Sequence, residues 1–153
     1  MLKSLPYSGS LDFDSAIDSA ALPMHFRDCL LQEHASSVEL RGNRVEFTAG
    51  LFRMVGSWNV LVPFGSGDLT VDPEHRQIRY SLSARQFVLL GAVMVSLMSG
   101  FMLFGTRSLT SLAFIPFMLL WLVGGNIVIG VPRFHNFVRR ALSSAPRTRS
   151  IPV

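Results

Sequence analysis

Two long apolar runs without charge dominate the hydrophobic pattern of this chain. The first covers residues 86–106 and the second covers residues 108–132, and Arg107 alone separates them. As helices, their apolar parts would extend about 27 and about 34 Å, close to the thickness of a bilayer core. The pattern therefore predicts two transmembrane helices, at 86–105 and 109–131, joined as an antiparallel hairpin.

Before these runs, the hydrophobic spacing indicates a small α+β domain at residues 20–84. Apolar residues recur at helical spacing over 20–34, as in an amphipathic helix. Alternating flanks surround a turn at 42–43 and a second loop at 73–76, which is typical of two β-hairpins. Together with an apolar strand at 57–64, they predict an antiparallel sheet of four or five strands, covered on one face by the helix.

The first turn also fixes how its two strands pair. Leu40 should face Val45 and Val38 should face Phe47, which places four apolar side chains on one side of the sheet. The other side then carries like charges directly opposite each other, and we expect it to face water.

The segment after residue 132 has the pattern of an amphipathic helix. Its apolar positions recur at helical spacing and its polar positions fill the other side: Phe134, Phe137, Val138, Ala141 and Leu142 against Arg133, Asn136, Arg139 and Arg140. This predicts an interfacial helix at 133–142 that lies against a bilayer surface. We expect a flexible basic tail at 143–153. Residues 1–19 are rich in Ser and Asp and predict a flexible N-terminal arm, which is either disordered or docked through Leu5, Tyr7, Leu11 and Phe13.

Charge is distributed unevenly along the chain. All ten acidic residues lie at or before Glu74, and the seven arginines from Arg85 onward are accompanied by no acid. Arginines flank the apolar runs on their outer sides, so the positive-inside rule predicts a multi-pass protein of the cell (inner) membrane with both termini cytoplasmic. Basic charge around apolar runs indicates anionic lipid as a partner and weighs against nucleic acid.

Small and polar residues within the apolar runs mark candidate helix-packing sites. They are Ala92, Ser96 and Gly100 in the first run and Gly124, Gly125, Asn126 and Gly130 in the second. The ridge in the first run packs either against the second helix of the same hairpin or against another molecule. The Asn126 amide needs a hydrogen-bond partner, which favours a packing role over an ion or transport site.

Arginines after the second run form a candidate surface for lipid or a protein partner. They are Arg133, Arg139, Arg140, Arg147 and Arg149. One interpretation is an orientation signal of the kind that most multi-pass proteins carry. The other is specific recognition of anionic lipid or of a partner protein.

The sequence predicts no catalytic residue, cofactor or metal site. His25 and Cys29 stand four residues apart on the predicted helix and could offer two metal ligands, but that spacing is weakly specific and Cys29 falls among core positions. The turn that contains Asp72 and His75 is typical of solvated turns. The single cysteine cannot form a disulfide within the chain.

These observations favour a non-enzymatic accessory or assembly subunit of a larger membrane complex, which acts through its transmembrane hairpin and its cytoplasmic domain. A domain of about 65 residues is marginal by itself and should need such contacts. Two alternatives stay open. One is a homo-oligomeric pore or small transporter built from the Ser96, Gly100 and Asn126 faces, and the other is a membrane-tethered enzyme that uses His25 and Cys29.

Overall fold

The computed structural model describes residues 6–50, 59–106, 117–118 and 120–147. In chain order the elements are β1 (Pro6–Asp12), α1 (Leu22–Gln32), β2 (Ser37–Arg41), β3 (Arg44–Thr48), β4 (Ser66–Asp72), β5 (Gln77–Ser83), α2 (Arg85–Thr106), a π-helical turn (Leu120–Gly124) and α3 (Gly125–Ser143). The strands form one antiparallel sheet in the order β1-β5-β4-β3-β2. The antiparallel α+β part of the prediction is confirmed.

Both predicted hairpins form, and the first has the expected register. Leu40 pairs with Val45 and Val38 pairs with Phe47 across the first turn. Gly42 adopts a φ of 60° there, in the left-handed region that a two-residue hairpin turn requires. The pattern of apolar residues therefore fixed which side of these strands faces the core.

One edge of the sheet is built by residues from the segment that was expected to be a flexible arm. β1 pairs with β5 from Pro6 opposite Ser83 to Asp12 opposite Gln77. At its centre Gly9 lies opposite Tyr80, and a Cβ at Gly9 would collide with the phenol ring. The missing side chain lets the Tyr80 ring cover the edge strand.

The predicted strand at 57–64 is not found in its described part. Residues 60–63 form turns, and Ser57 and Trp58 lie outside the described residues. Val60, Leu61 and Phe64 are nevertheless buried. The turns bring these side chains into the core, so this segment contributes burial without contributing to the sheet.

Two helices cover the inner face of the sheet. Leu22, Phe26 and Leu30 lie at four-residue spacing on α1 and are fully buried, with Pro23 in the first turn of the helix. The second half of α3 packs beside them through Phe134, Phe137, Val138, Ala141 and Leu142. The core therefore joins residues from both ends of the described chain.

The apolar side of the predicted interfacial helix lies in this core. Phe134 is 0% exposed and its ring stacks on Phe47 at a centroid distance of 5.9 Å. Phe64 and Tyr80 contact it at 6.0 and 5.4 Å. Apolar residues at this helical spacing can pack against either a lipid surface or a sheet. Here the sheet covers the apolar side of the helix that was predicted to contact lipid.

No helix among the described residues combines the length and the apolar character that crossing a membrane requires. The second apolar run does not coincide with one helix, because α3 begins at Gly125 and continues through Pro132 into the arginine-rich segment. The prediction of two transmembrane helices is therefore wrong. The multi-pass inner-membrane location is also wrong, and so are the accessory-subunit, pore and tethered-enzyme functions that depend on it.

Candidate functional site

The most unusual surface of the protein is an exposed apolar side of α2. Seven large apolar side chains of α2 are between 41% and 84% exposed. They are Val88, Leu89, Val93, Met94, Leu97, Met98 and Phe101. We call these seven residues the apolar face. Gly91 and Val95 of α2 are buried, and α2 contacts the π-helical turn. The buried residues thus form a narrow strip, and the exposed apolar side chains cover most of the rest of the helix surface.

The predicted ridge of small residues lies beside the apolar face. Ser96 is exposed, and Ala92 is half-buried. A Cβ built at Gly100 would meet no described atom within 4 Å. Because residues 107–116 lie outside the described residues, both interpretations of the ridge stay predictions.

The candidate packing residues of the second run divide between two environments. Among the described residues, no atom lies within 4 Å of a Cβ built at Gly125, and a Cβ at Gly124 would lie 3.7 Å from Leu120 Cδ1. Asn126 is exposed. Gly130 is buried, and a Cβ there would collide with Pro63. The close approach at Gly130 thus joins α3 to the turns at 59–65.

Further along α3, polar side chains form a basic cleft. Arg133, Asn136, Arg139 and Arg140 line a volume of about 490 Å³ together with Val60. We use the name basic cleft for these five residues. Among the described residues, no acidic side chain forms an ion pair with Arg139 or Arg140.

The structure separates the other predicted arginines from this cleft or does not describe them. Arg147 lies beyond the end of α3, where its backbone bridges to Ile17. Arg149 lies outside the described residues. The arginine surface predicted from the sequence lacks Asn136 and Val60. Nothing in the local sequence around Val60 indicates that it faces α3.

His25 and Cys29 connect helices instead of forming a reactive pair. The His25 ring lies with Nε2 2.9 Å from the carbonyl oxygen of Ala141, at the end of α3, and 3.7 Å from the Cys29 sulfur. Burial raises the pKa of the Cys29 thiol, with Asp28 and Glu33 acting in the same direction. A raised pKa leaves less thiolate at neutral pH, which is the opposite of an activated nucleophile.

The outer face of the sheet carries charges in cross-strand rows. Glu39, Glu46 and Asp68 lie side by side around a shallow cleft of about 300 Å³. Arg44 forms ion pairs with Glu46 and Asp68 at 3.3 and 3.4 Å, and Arg41 pairs with Glu39 at 2.9 Å. These charges offset one another, as expected for a solvated sheet face.

Asp72 caps the turn between β4 and β5. The backbone N–H of His75 donates to Asp72 Oδ1 over 3.1 Å and lowers the pKa of this carboxyl, and the His75 ring and Arg79 act in the same direction. A lowered pKa in the folded state means that the carboxylate stabilises the fold above its unfolded pKa. That contribution is lost as pH falls through the folded value.

We therefore expect Asp72→Asn to lower stability at neutral pH and to reduce the loss of stability below about pH 4. Urea unfolding of both proteins at a series of pH values measures this difference. His75→Gln is the matched control, because it removes the ring but keeps the backbone donor, and it should retain part of the effect. If Asp72→Asn loses as much stability at low pH as the unaltered protein does, the stabilising role of the Asp72 carboxylate is contradicted.

Within the described residues, no group of three or more His, Cys, Asp or Glu side chains could hold a metal ion. The surfaces that stand out are therefore the apolar face and the basic cleft.

Comparison with known proteins found no relative of this chain. No family model, curated protein or solved structure matches it.

Proposed function

We propose that this protein docks on the surface of acidic lipid bilayers through the apolar face of α2, with the arginines of α3 turned toward the headgroups. The observation that carries the proposal is the exposed apolar face on a helix whose sequence is uncharged from Gln86 to Thr106. Such a contact reaches the boundary between headgroups and acyl chains and requires no helix to cross the bilayer.

The extent of the apolar face supports a partner that covers it. At roughly 100 Å² for each exposed side chain, the seven residues present about 700 Å², more than the few hundred Å² usual for a monomer. Burying a third of this area would contribute about 6 kcal/mol at 25 cal/mol per Å². Part of that gain is offset by the cost of restricting the protein at a surface.

Charge favours lipid over a second copy of the chain. On α3 the exposed apolar residues Val128 and Ile129 precede the arginines of the basic cleft by only a few turns. A second copy could offer acids only from residues at or before Glu74, and several of these are paired on the outer face of the sheet. Attraction to acidic headgroups would contribute about 1 kcal/mol of binding free energy for each arginine.

Vesicle flotation tests the proposal with two single substitutions. Leu97 is 65% exposed on the apolar face, whereas Leu40 is 39% exposed on β2, away from it. We expect the protein to float with phosphatidylserine-containing vesicles, and Leu97→Glu to weaken binding about tenfold. Leu40→Glu should bind as the unaltered protein does.

Two results would overturn the proposal. One is a protein that stays unbound to acidic vesicles at low salt. The other is an equal loss of binding in the two variants, which would show a general effect of an added acid. If sedimentation shows a stable dimer that Leu97→Glu dissociates while vesicles remain unbound, the apolar face is a self-association surface instead.

A further inference from the structure

We infer that the basic cleft binds a phosphate group attached to a small organic residue. The inference rests on the proposed function only where the phosphate belongs to a lipid, because the cleft is separate from the apolar face. Its first support is geometry. Arg133, Asn136 and Arg140 follow at intervals of three and four residues, so they share one side of α3, and Arg139 lies beside them.

The helix that carries the arginines is fixed from behind. Phe134, Phe137, Val138 and Ala141 alternate with the cleft residues and are buried in the core. The backbone that presents the guanidinium groups is therefore part of the packed domain. A rigid element holds binding groups more accurately than a loop does.

The side chains in the cleft match the chemistry of phosphate. Guanidinium groups donate paired hydrogen bonds to phosphate oxygens, and the Asn136 amide supplies a further donor. Three arginines in one cleft suit a group that carries up to two negative charges better than a single carboxylate. In the part of the chain that the structure describes, no acidic side chain forms an ion pair with Arg139 or Arg140.

The shape of the cleft indicates that the phosphate carries an organic group. A volume of about 490 Å³ lies within the usual range for small-molecule sites and is much larger than a phosphate ion needs. Val60 gives the cleft an apolar wall. Arg133 also lines an adjoining cavity of about 60 Å³ with Ile129 and Pro63, so the site continues toward apolar residues.

Glycerol 3-phosphate is the soluble probe, and glycerol is its uncharged control. We expect amide signals of α3 to shift in NMR spectra with glycerol 3-phosphate and not with glycerol. Arg140→Gln should weaken this binding about fivefold. Arg41→Gln, which removes an exposed arginine on β2, should leave it unchanged.

Vesicles distinguish the two sources of phosphate. If the ligand is a lipid, flotation with phosphatidic acid should exceed flotation with vesicles made equally acidic by oleate, and Arg140→Gln should remove the preference. If it is a free phosphate compound, glycerol 3-phosphate binds although neither vesicle does, and the inference stands while the proposed function fails.

The inference is overturned if glycerol 3-phosphate shifts no α3 signal, or if Arg41→Gln weakens binding as much as Arg140→Gln. It is also overturned if vesicles of oleate and phosphatidic acid bind equally and the soluble probe does not bind. Leu97→Glu separates the two ideas, because it should weaken vesicle binding about tenfold while binding of glycerol 3-phosphate persists.

Discussion

Replacing Phe134 with alanine should lower the free energy of unfolding by about 3–5 kcal/mol, the usual cost of removing a buried phenylalanine. Phe134 is 0% exposed, and its ring contacts those of Phe47, Phe64, Tyr80 and Phe137 at centroid distances of 5.4–6.0 Å. The substitution removes one ring from the centre of this group. Urea unfolding followed by tyrosine and tryptophan fluorescence measures the loss.

Phe101→Ala is the matched control, because Phe101 is 84% exposed on α2. It should change stability by less than about 0.5 kcal/mol. A comparable loss in the two variants would mean that the apolar face is covered within the protein itself. A loss below about 1 kcal/mol for Phe134→Ala would place the second half of α3 outside the core.

Gly130→Ala and Gly125→Ala should change stability in opposite directions, although both lie in α3. A Cβ at Gly130 would collide with Pro63 Cγ and lie 3.3 Å from Phe64 Cζ. Overpacking of this kind costs about 1–3 kcal/mol. Gly125 has no described atom within 4 Å of the added Cβ, so alanine there should stabilise the helix by about 0.5–1 kcal/mol.

The urea unfolding midpoint of the two variants provides the measurement. Stabilisation by both substitutions would show that intrinsic helix propensity outweighs packing at Gly130, because the turns at 59–65 give way when α3 carries a larger residue. Destabilisation by both would imply that Gly125 has a neighbour in the folded protein.

The hairpins could be predicted because their information is local. Turn chemistry at 42–43 and period-two alternation on both sides determined the register that pairs Leu40 with Val45. β1 lacked such a signal, since its sequence is polar and contains Gly9. Its place at the sheet edge depends on Tyr80, which is distant in sequence and covers the glycine.

The prediction of two transmembrane helices was wrong because hydropathy identifies apolar stretches and does not locate helix boundaries. The second run ends at Pro132, whereas α3 continues through that residue into the core. The periodicity of Phe134 and Phe137 was recognised correctly, but periodicity does not identify what covers a face. The covering residues, such as Phe47 and Phe64, come from elsewhere in the chain.

The candidate site could be predicted only in part for the same reason. Arg133, Arg139 and Arg140 were recognised from their charge and their position after an apolar run. Val60 and the adjoining Pro63 become part of the site through tertiary packing. A single sequence contains no local trace of such a contact.

The core shared between β strands and the second half of α3 sets an order of events during synthesis. The inner face of the sheet lacks Phe134 and its neighbours until α3 has left the ribosome. Asp18 donates its backbone N–H to the carbonyl oxygen of Pro146, so the segment between β1 and α1 also waits for the residues that follow α3. When α2 has been made, all five strands are present but α3 does not yet cover the inner face of the sheet, so the apolar face is available before the core is complete.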